Sequence, residues 1–304
     1  MRALISGASG LIGSSLERRL QAGSWSTVRL VRAPAAADAN SIVWDPAVGF
    51  RQPKDAEGFD LVVHLAGENV AGGRWTAARK QRILESRVQG TRRLCETISR
   101  LEHRPRTLLC ASAIGIYGDR GEELLDEQSA PGHGFLAEVC QQWEAATAPA
   151  REAGVRVVNL RFGVVLSKAG GALAKMLLPF RMGLGGRIGN GRQYMSWIAL
   201  DDVVRAIEWS ATHESLKGPV NVVAPRPVTN REFTTELGRA LRRPTIFPLP
   251  AFVARAALGE MAGELLLASQ RVAPAQLAAT GFSFSFPELG PALRHVLAKE
   301  TTAA

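Results

Sequence analysis

A doubly wound α/β fold, with a parallel sheet covered by helices on both faces and a smaller C-terminal lobe, is predicted by three features of this 304-residue chain. Short apolar runs alternate with amphipathic stretches through the first half, the pattern of strand and helix in turn. Residues 2–6 read as a buried strand that runs directly into Gly7-Ala8-Ser9-Gly10-Leu11-Ile12-Gly13, where glycines open a helix. Past Phe162 the rhythm breaks, because Gly170, Gly171, Gly183, Gly185, Gly186, Gly189 and Gly191 crowd the next segment. With 46% hydrophobic residues, the length suits one large domain with an added lobe.

After the opening strand and helix, apolar runs predict strands at 27–32, 41–44 and 60–67. A helical stretch over 75–101 leads to a strand at 107–112, and a second helix over 135–153 leads to a strand at 155–161. A helix at 201–212 and a strand at 219–223 return to the main sheet. The expected division is therefore a sheet domain at 1–165, rejoined by 194–224, and a lobe made of 166–193 and 225–304. The glycine-rich segment reads as a clamp or lid. Near the end, Phe282, Phe284 and Phe286 alternate with Ser283 and Ser285, a two-residue period that predicts a short strand.

Composition narrows the function. Cys95, Cys110 and Cys140 are widely spaced, with no Cys-x-x-Cys and no histidine at ligand distance, so no metal site is expected. Free thiols and the absence of a leader pattern point to a reducing, cytoplasmic setting. No apolar run reaches the roughly 18 residues that span a bilayer, which argues against membrane insertion. The net charge of +9 is carried mainly by scattered arginines, with no basic stripe of the kind that binds nucleic acid. Its field still favours small anionic ligands.

A glycine loop at a helix start binds pyrophosphate, because unpaired backbone N–H groups point outward, the helix dipole favours an anion, and missing side chains permit close approach. Gly7, Gly10 and Gly13 stand at the required places, with Ser9, Leu11 and Ile12 between them. This is the fingerprint of a Rossmann sheet that binds a dinucleotide. An NAD enzyme sets an acid at the end of the second strand for the adenosine ribose. Here that strand ends in Arg32, whose guanidinium would attract a 2′-phosphate. NADP(H) is the expected cofactor.

Further stretches carry a family resemblance: Leu65-Ala66-Gly67-Glu68-Asn69-Val70, Arg74-Trp75-Thr76, Ser112 to Gly118, Phe135 to Glu144, Gly170 to Met176 and Gly191 to Ile198. The chain resembles the extended short-chain dehydrogenases/reductases, and within them an atypical epimerase-like family often labelled nucleoside-diphosphate-sugar epimerases. The resemblance implies that Leu65, Ala66 and Gly67 pass beside the cofactor, that Phe162 faces its nicotinamide end, and that the C-terminal lobe closes over substrate. It also implies that Ser112 polarises a substrate oxygen. The usual Tyr, Lys and Asn fall on Leu136, Cys140 and Arg87. No Tyr-x-x-x-Lys exists, since Gly121 follows Tyr117 at that spacing and Ile198 follows Tyr194.

The chemistry left to the site rests on Ser112 and Cys140. A cysteine thiol has an ordinary pKa near 8.5, and a cation such as Arg87 could lower it. The other reading makes Cys140 inert core among Leu136, Val139 and Trp143. Tyr117 and Tyr194 are further candidates. His64 reads as a core imidazole, and His133 and Glu138 as solvated. Arg161, Arg181, Arg187 and Arg192 bracket the glycine-rich segment, where a sugar-nucleotide diphosphate would welcome them. Two functions compete. One is an NADP(H)-dependent oxidoreductase or epimerase-like enzyme acting on a small alcohol, carbonyl compound or nucleotide sugar. The other is a non-catalytic NADPH-binding sensor or interaction protein. Monomer and homodimer both stay open.

Overall fold

A computed structural model of the protein describes residues 1–32, 37–50 and 52–298. The first part of the chain builds β1 (Arg2–Ser6), α1 (Leu11–Ala22), β2 (Ser26–Val31), β3 (Ser41–Asp45), β4 (Gly49–Phe50) and β5 (Leu61–His64). Then come α2 (Ala77–Ser99), β6 (Thr107–Ala113), β7 (Leu124–Leu125), α3 (Phe135–Ala145), α4 (Ala148–Glu152) and β8 (Arg156–Phe162). The chain continues through β9 (Val164–Leu166), α5 (Gly171–Arg181), β10 (Tyr194–Met195), β11 (Trp197–Ala199), α6 (Leu200–Thr212) and β12 (Gly218–Val222). It ends in β13 (Val228–Thr229), α7 (Asn230–Leu241), α8 (Ala251–Leu258), α9 (Glu260–Ala262), a π-helical turn Gly263–Leu267, β14 (Arg271–Val272), α10 (Ala275–Ala279) and α11 (Leu289–Ala298).

Eight strands pair in the order β12-β8-β6-β5-β1-β2-β3-β4, all parallel except the β3–β4 edge. The doubly wound Rossmann architecture is thus observed, with its order reversing at β1. Such a reversal opens a crevice at the strands' carboxyl ends.

The pleat explains why helices are needed on both faces. Ala3, Ile5, Leu61, Val63 and Leu109 point to one side and pack on Leu16 and Leu20 of α1 and Val203 and Ile207 of α6. Their neighbours Leu4, Val62 and Leu108 point to the other side, against Leu94 and Ile98 of α2 and Ala150 of α4. Each buried Leu, Ile or Val among them contributes roughly 1.5–3 kcal/mol by leaving water. A third core, built from Leu173, Leu177, Trp197, Phe233, Leu237 and Leu293, joins α5, α7 and α11.

Two expectations change. The helix over 135–153 is broken, because the Thr147 hydroxyl bonds back to the Glu144 carbonyl and Pro149 opens the separate α4. The strand expected at Phe282–Phe286 does not form. Ser285 and Phe286 instead donate their amides to the buried Asp202 carboxylate, at 2.8 and 2.9 Å, so they cannot join a ladder. The alternation still buries one aromatic edge, with Phe282 and Phe284 T-shaped at 4.8 Å.

Candidate active site

At the reversal point the turn from β1 into α1 forms a tight cradle. Gly7 has φ +72°, and a Cβ there would stand 2.8 Å from the Leu65 carbonyl carbon. A Cβ on Gly13 would stand 2.2 Å from the Gly7 oxygen. Only glycine lets the three segments approach so closely. No side chain caps α1 at Gly10, which leaves its first-turn amides facing outward, as an anion site requires. Gly7, Gly10, Leu11, Ile12 and Gly13 form one end of a cleft of about 470 Å³ that also takes in Leu65, Ser112, Cys140 and Phe162. Ser9 is exposed in the same turn, and Ala66 and Gly67 continue from Leu65 beside it. The fit to a dinucleotide is therefore steric as well as sequential.

Arg32 is exposed just after β2 and borders a separate depression with Trp44, Asp45 and Phe50. The next residues, 33–36, lie outside the described part.

At Ser112, near the end of β6, several polar side chains converge. Its hydroxyl donates to Glu144 Oε1 across 2.7 Å. Arg161 on β8 grips the same carboxylate in bidentate fashion, Nε to Oε1 at 2.8 Å and Nη2 to Oε2 at 2.9 Å. Arg161 Nη1 then donates to the Tyr117 hydroxyl at 2.8 Å, and Asn221 Oδ1 and the Asp126 carbonyl, each 2.8 Å from that hydroxyl, share its one proton. Burial works against the charge on Arg161, yet Glu144 outweighs it and holds the guanidinium pKa above its usual value. Burial also raises the Tyr117 phenol against the pull of Arg161. Tyr117 is wholly buried in this network and does not line the cleft, so an acid or base role for it is not supported.

The surroundings of Cys140 oppose a thiolate. The residue does line the cleft, but burial, with Glu144 adding to it, pushes the thiol up to about 12, and Arg87 offsets only part of this. Such surroundings favour the protonated thiol and the reading of Cys140 as apolar wall. Arg87 lies across Gly67 and stacks over Trp143 with its guanidinium carbon 5.0 Å from the ring centre. His64 is buried, with Nδ1 2.6 Å from Ser6 Oγ, and desolvation lowers its pKa to about 4. His133 and Glu138 are exposed.

The four arginines proposed around the glycine-rich segment are not gathered. Arg161 is committed to Glu144, whereas Arg181, Arg187 and Arg192 are exposed and none lines the cleft. Nor does 183–191 reach the cleft; the segment's near end, Gly170 and Gly171, packs instead on Leu11 of the cradle. Tyr194 sits under Arg271.

Glu144 was missed by sequence reasoning, though its spacing held a signal. Leu136, Cys140 and Glu144 follow one another at four-residue steps, so they share a face of α3. Glu264 gave no local signal. Its carboxylate, from the π-helical turn, accepts the amides of Phe135 and Leu136 at 2.7 Å each, capping α3 and joining the cleft wall. Among the described residues, no helix is long and apolar enough to cross a membrane.

Comparisons with known proteins agree with this geometry. The NAD dependent epimerase/dehydratase family matches residues 3–224, and a domain of unknown function matches 249–296. An epimerase family protein of Mycobacterium tuberculosis is 46% identical over 289 residues, covering 95% of each chain. The structure of human epimerase family protein SDR39U1 (isoform 2) with NADPH superposes with a TM-score of 0.89 at 34% identity, over 97% of this chain and 99% of that one. A nucleoside-diphosphate sugar epimerase from Corynebacterium glutamicum gives 0.81 at 36% identity, over 98% of this chain and 58% of the longer one. With its reversal-point cradle, its Ser112 at the end of β6 and a match across most of its length, the chain belongs to the NAD dependent epimerase/dehydratase family.

Proposed function

We propose that the protein binds NADP(H) and acts as an oxidoreductase or epimerase-like enzyme on a small molecule. The observation that carries this reading is a single cleft running from the glycine cradle to Ser112. The bound coenzyme would supply or accept a hydride. The amides of Leu11, Ile12 and Gly13 would hold its pyrophosphate, Leu65, Ala66, Gly67 and Phe162 would flank it, and Arg32 would meet the 2′-phosphate. The human relative crystallised with NADPH supports the NADP preference.

Ser112 would do the positioning at the reacting oxygen. Because its proton points at Glu144, its lone pairs are free to accept a hydrogen bond from a substrate alcohol. As the alcohol is oxidised, its proton would pass to Ser112 and the serine proton to Glu144, a relay that needs neither the missing Tyr nor the missing Lys. Three buried free cysteines fit a reducing cytoplasm.

Calorimetric titration with NADPH and NADH tests the binding, followed by turnover on a panel of alcohols, carbonyl compounds and nucleotide sugars. NADPH is expected to bind the tighter, by about tenfold or more, with the margin lost in Arg32→Ala. Ser112→Ala is expected to slow turnover by about 10² or more. Absence of heat from either coenzyme would end the reading. A second reading, a non-catalytic NADPH sensor, is favoured by Leu136 and Cys140 standing where Tyr and Lys are usual. NADPH binding with no turnover across the panel would select it.

A further inference from the structure

The polar side chains in the cleft wall are spoken for, with one exception. Ser112 donates to Glu144, both oxygens of Glu264 accept amides of α3, and Gln270 Nε2 donates to the Gly118 carbonyl at 3.1 Å. Arg87 is different. Among the described residues its guanidinium makes one hydrogen bond, from Nη1 to the Ile83 carbonyl at 3.2 Å. Glu68, whose charge acts on it, lies 3.5 Å from Arg79 instead, and burial favours the neutral thiol of the neighbouring Cys140.

The remaining wall is apolar, with Val70, Ile114, Leu136, Val139 and Leu265 around it. Arg87 is half-buried at this wall, where a cation is stabilised by an anion brought to it, and the planar guanidinium fork matches a carboxylate in two parallel bonds. Beside the Trp143 face over which it stacks, Arg87 has no ion-pair partner among the described residues, and burial pulls its pKa down. Size points the same way. Pockets of about 300–1,000 Å³ ordinarily hold one drug-sized molecule, and this cleft of about 470 Å³ must take the coenzyme's inner end as well. A sugar diphosphate would bring a second charged group, yet no other cation lines the cleft among the described residues.

We infer that Arg87 is a substrate-binding residue that receives the carboxylate of a small acid with an apolar body, whose alcohol or carbonyl carbon is the reacting centre. The inference rests on the NADP(H) reading for its chemistry, but the binding step can be read separately.

The experiment is calorimetry with three probes, hexanoate, hexanol and uridine diphosphate glucose, added to the protein with and without NADPH. Wild type is expected to bind hexanoate about tenfold or more tightly than hexanol, the usual gain from a charge-assisted bond. Arg87→Gln is expected to abolish that preference while still binding hexanol, which a merely structural role for Arg87 would not produce. Arg87→Lys, which keeps charge without the fork, is expected to fall between, and it serves if the Gln variant does not fold. Equal hexanoate affinity in wild type and Arg87→Gln, no hexanoate binding at all, or tighter binding of the nucleotide sugar would each overturn the inference. Failure of NADPH to bind, with the hexanoate preference intact, would instead count against the coenzyme reading alone.

Discussion

The hydroxyl of Ser112 and the carboxylate of Glu144 meet across 2.7 Å, although 32 residues separate them. β6 delivers the serine and α3 the acid, and Arg161 from the adjacent β8 fixes the acid from behind. The pair ties the Ser112 end of the cleft to the buried core.

Breaking that arrangement on one side leaves a buried guanidinium without its counter-charge. Glu144→Gln is therefore expected to cost about 3–5 kcal/mol in urea unfolding, whereas Ser112→Ala removes one hydrogen bond and costs about 1 kcal/mol. Equal losses in the two variants would contradict the assignment of Arg161 to Glu144.

The cradle makes a graded prediction. A methyl group at Gly13 collides with backbone at 2.2 Å, while at Gly10 the nearest atom is 3.2 Å away. Gly13→Ala is expected to weaken NADPH binding about 100-fold and Gly10→Ala by less, since backbone must move in the first case. Fluorescence titration with NADPH checks the order, and a reversed order would show that the loop yields where contact distances say it cannot.

His64 predicts an acid sensitivity. Its folded pKa of about 4 lies below the model-peptide value of 6.5, so the unfolded chain binds the extra proton across that window. The neutral, buried form favours folding fully above pH 6.5, and the advantage fades as pH falls towards 4, by up to about 3 kcal/mol. Unfolding of wild type and His64→Asn at pH 7 and pH 4.5 measures this. Parallel losses in both proteins would assign the acid sensitivity elsewhere.

Cys140 faces the cleft yet is held near pKa 12. Native protein at pH 8 is expected to react with iodoacetamide there about a thousandfold more slowly than a thiol of ordinary pKa. Mass-spectrometric mapping of the labelled site decides the matter, and rapid modification would restore a nucleophilic cysteine.

Much of the scaffold could be read from local sequence. Residues 2–6 and Gly7 to Gly13 declare strand, turn and helix within a dozen positions, and the alternation of Leu4 with Ala3 and Ile5 is a matter of pleat. The misreadings arose where a distant group intervened. Asp202 captures the amides of Ser285 and Phe286, so a correct two-residue period did not become a strand. The four arginines near the glycine-rich segment looked equivalent along the chain, but only Arg161 lies on a sheet strand that carries it inward to Glu144. Cys140 shares a face of α3 with Leu136 and Glu144 and lines the cleft. Its reactivity depended on desolvation, which spacing alone does not express.

Glu264 has a consequence for how this protein is inherited. It belongs to the segment matched by the domain of unknown function, yet its carboxylate closes the first turn of α3, a helix of the stretch matched by the epimerase/dehydratase family. Residues 3–224 severed from the C-terminal portion would carry a frayed turn in the cleft wall. The two portions are therefore not interchangeable modules: any recombinant that swaps one must bring an acid to the same spot, or lose the shape of the room in which the other works.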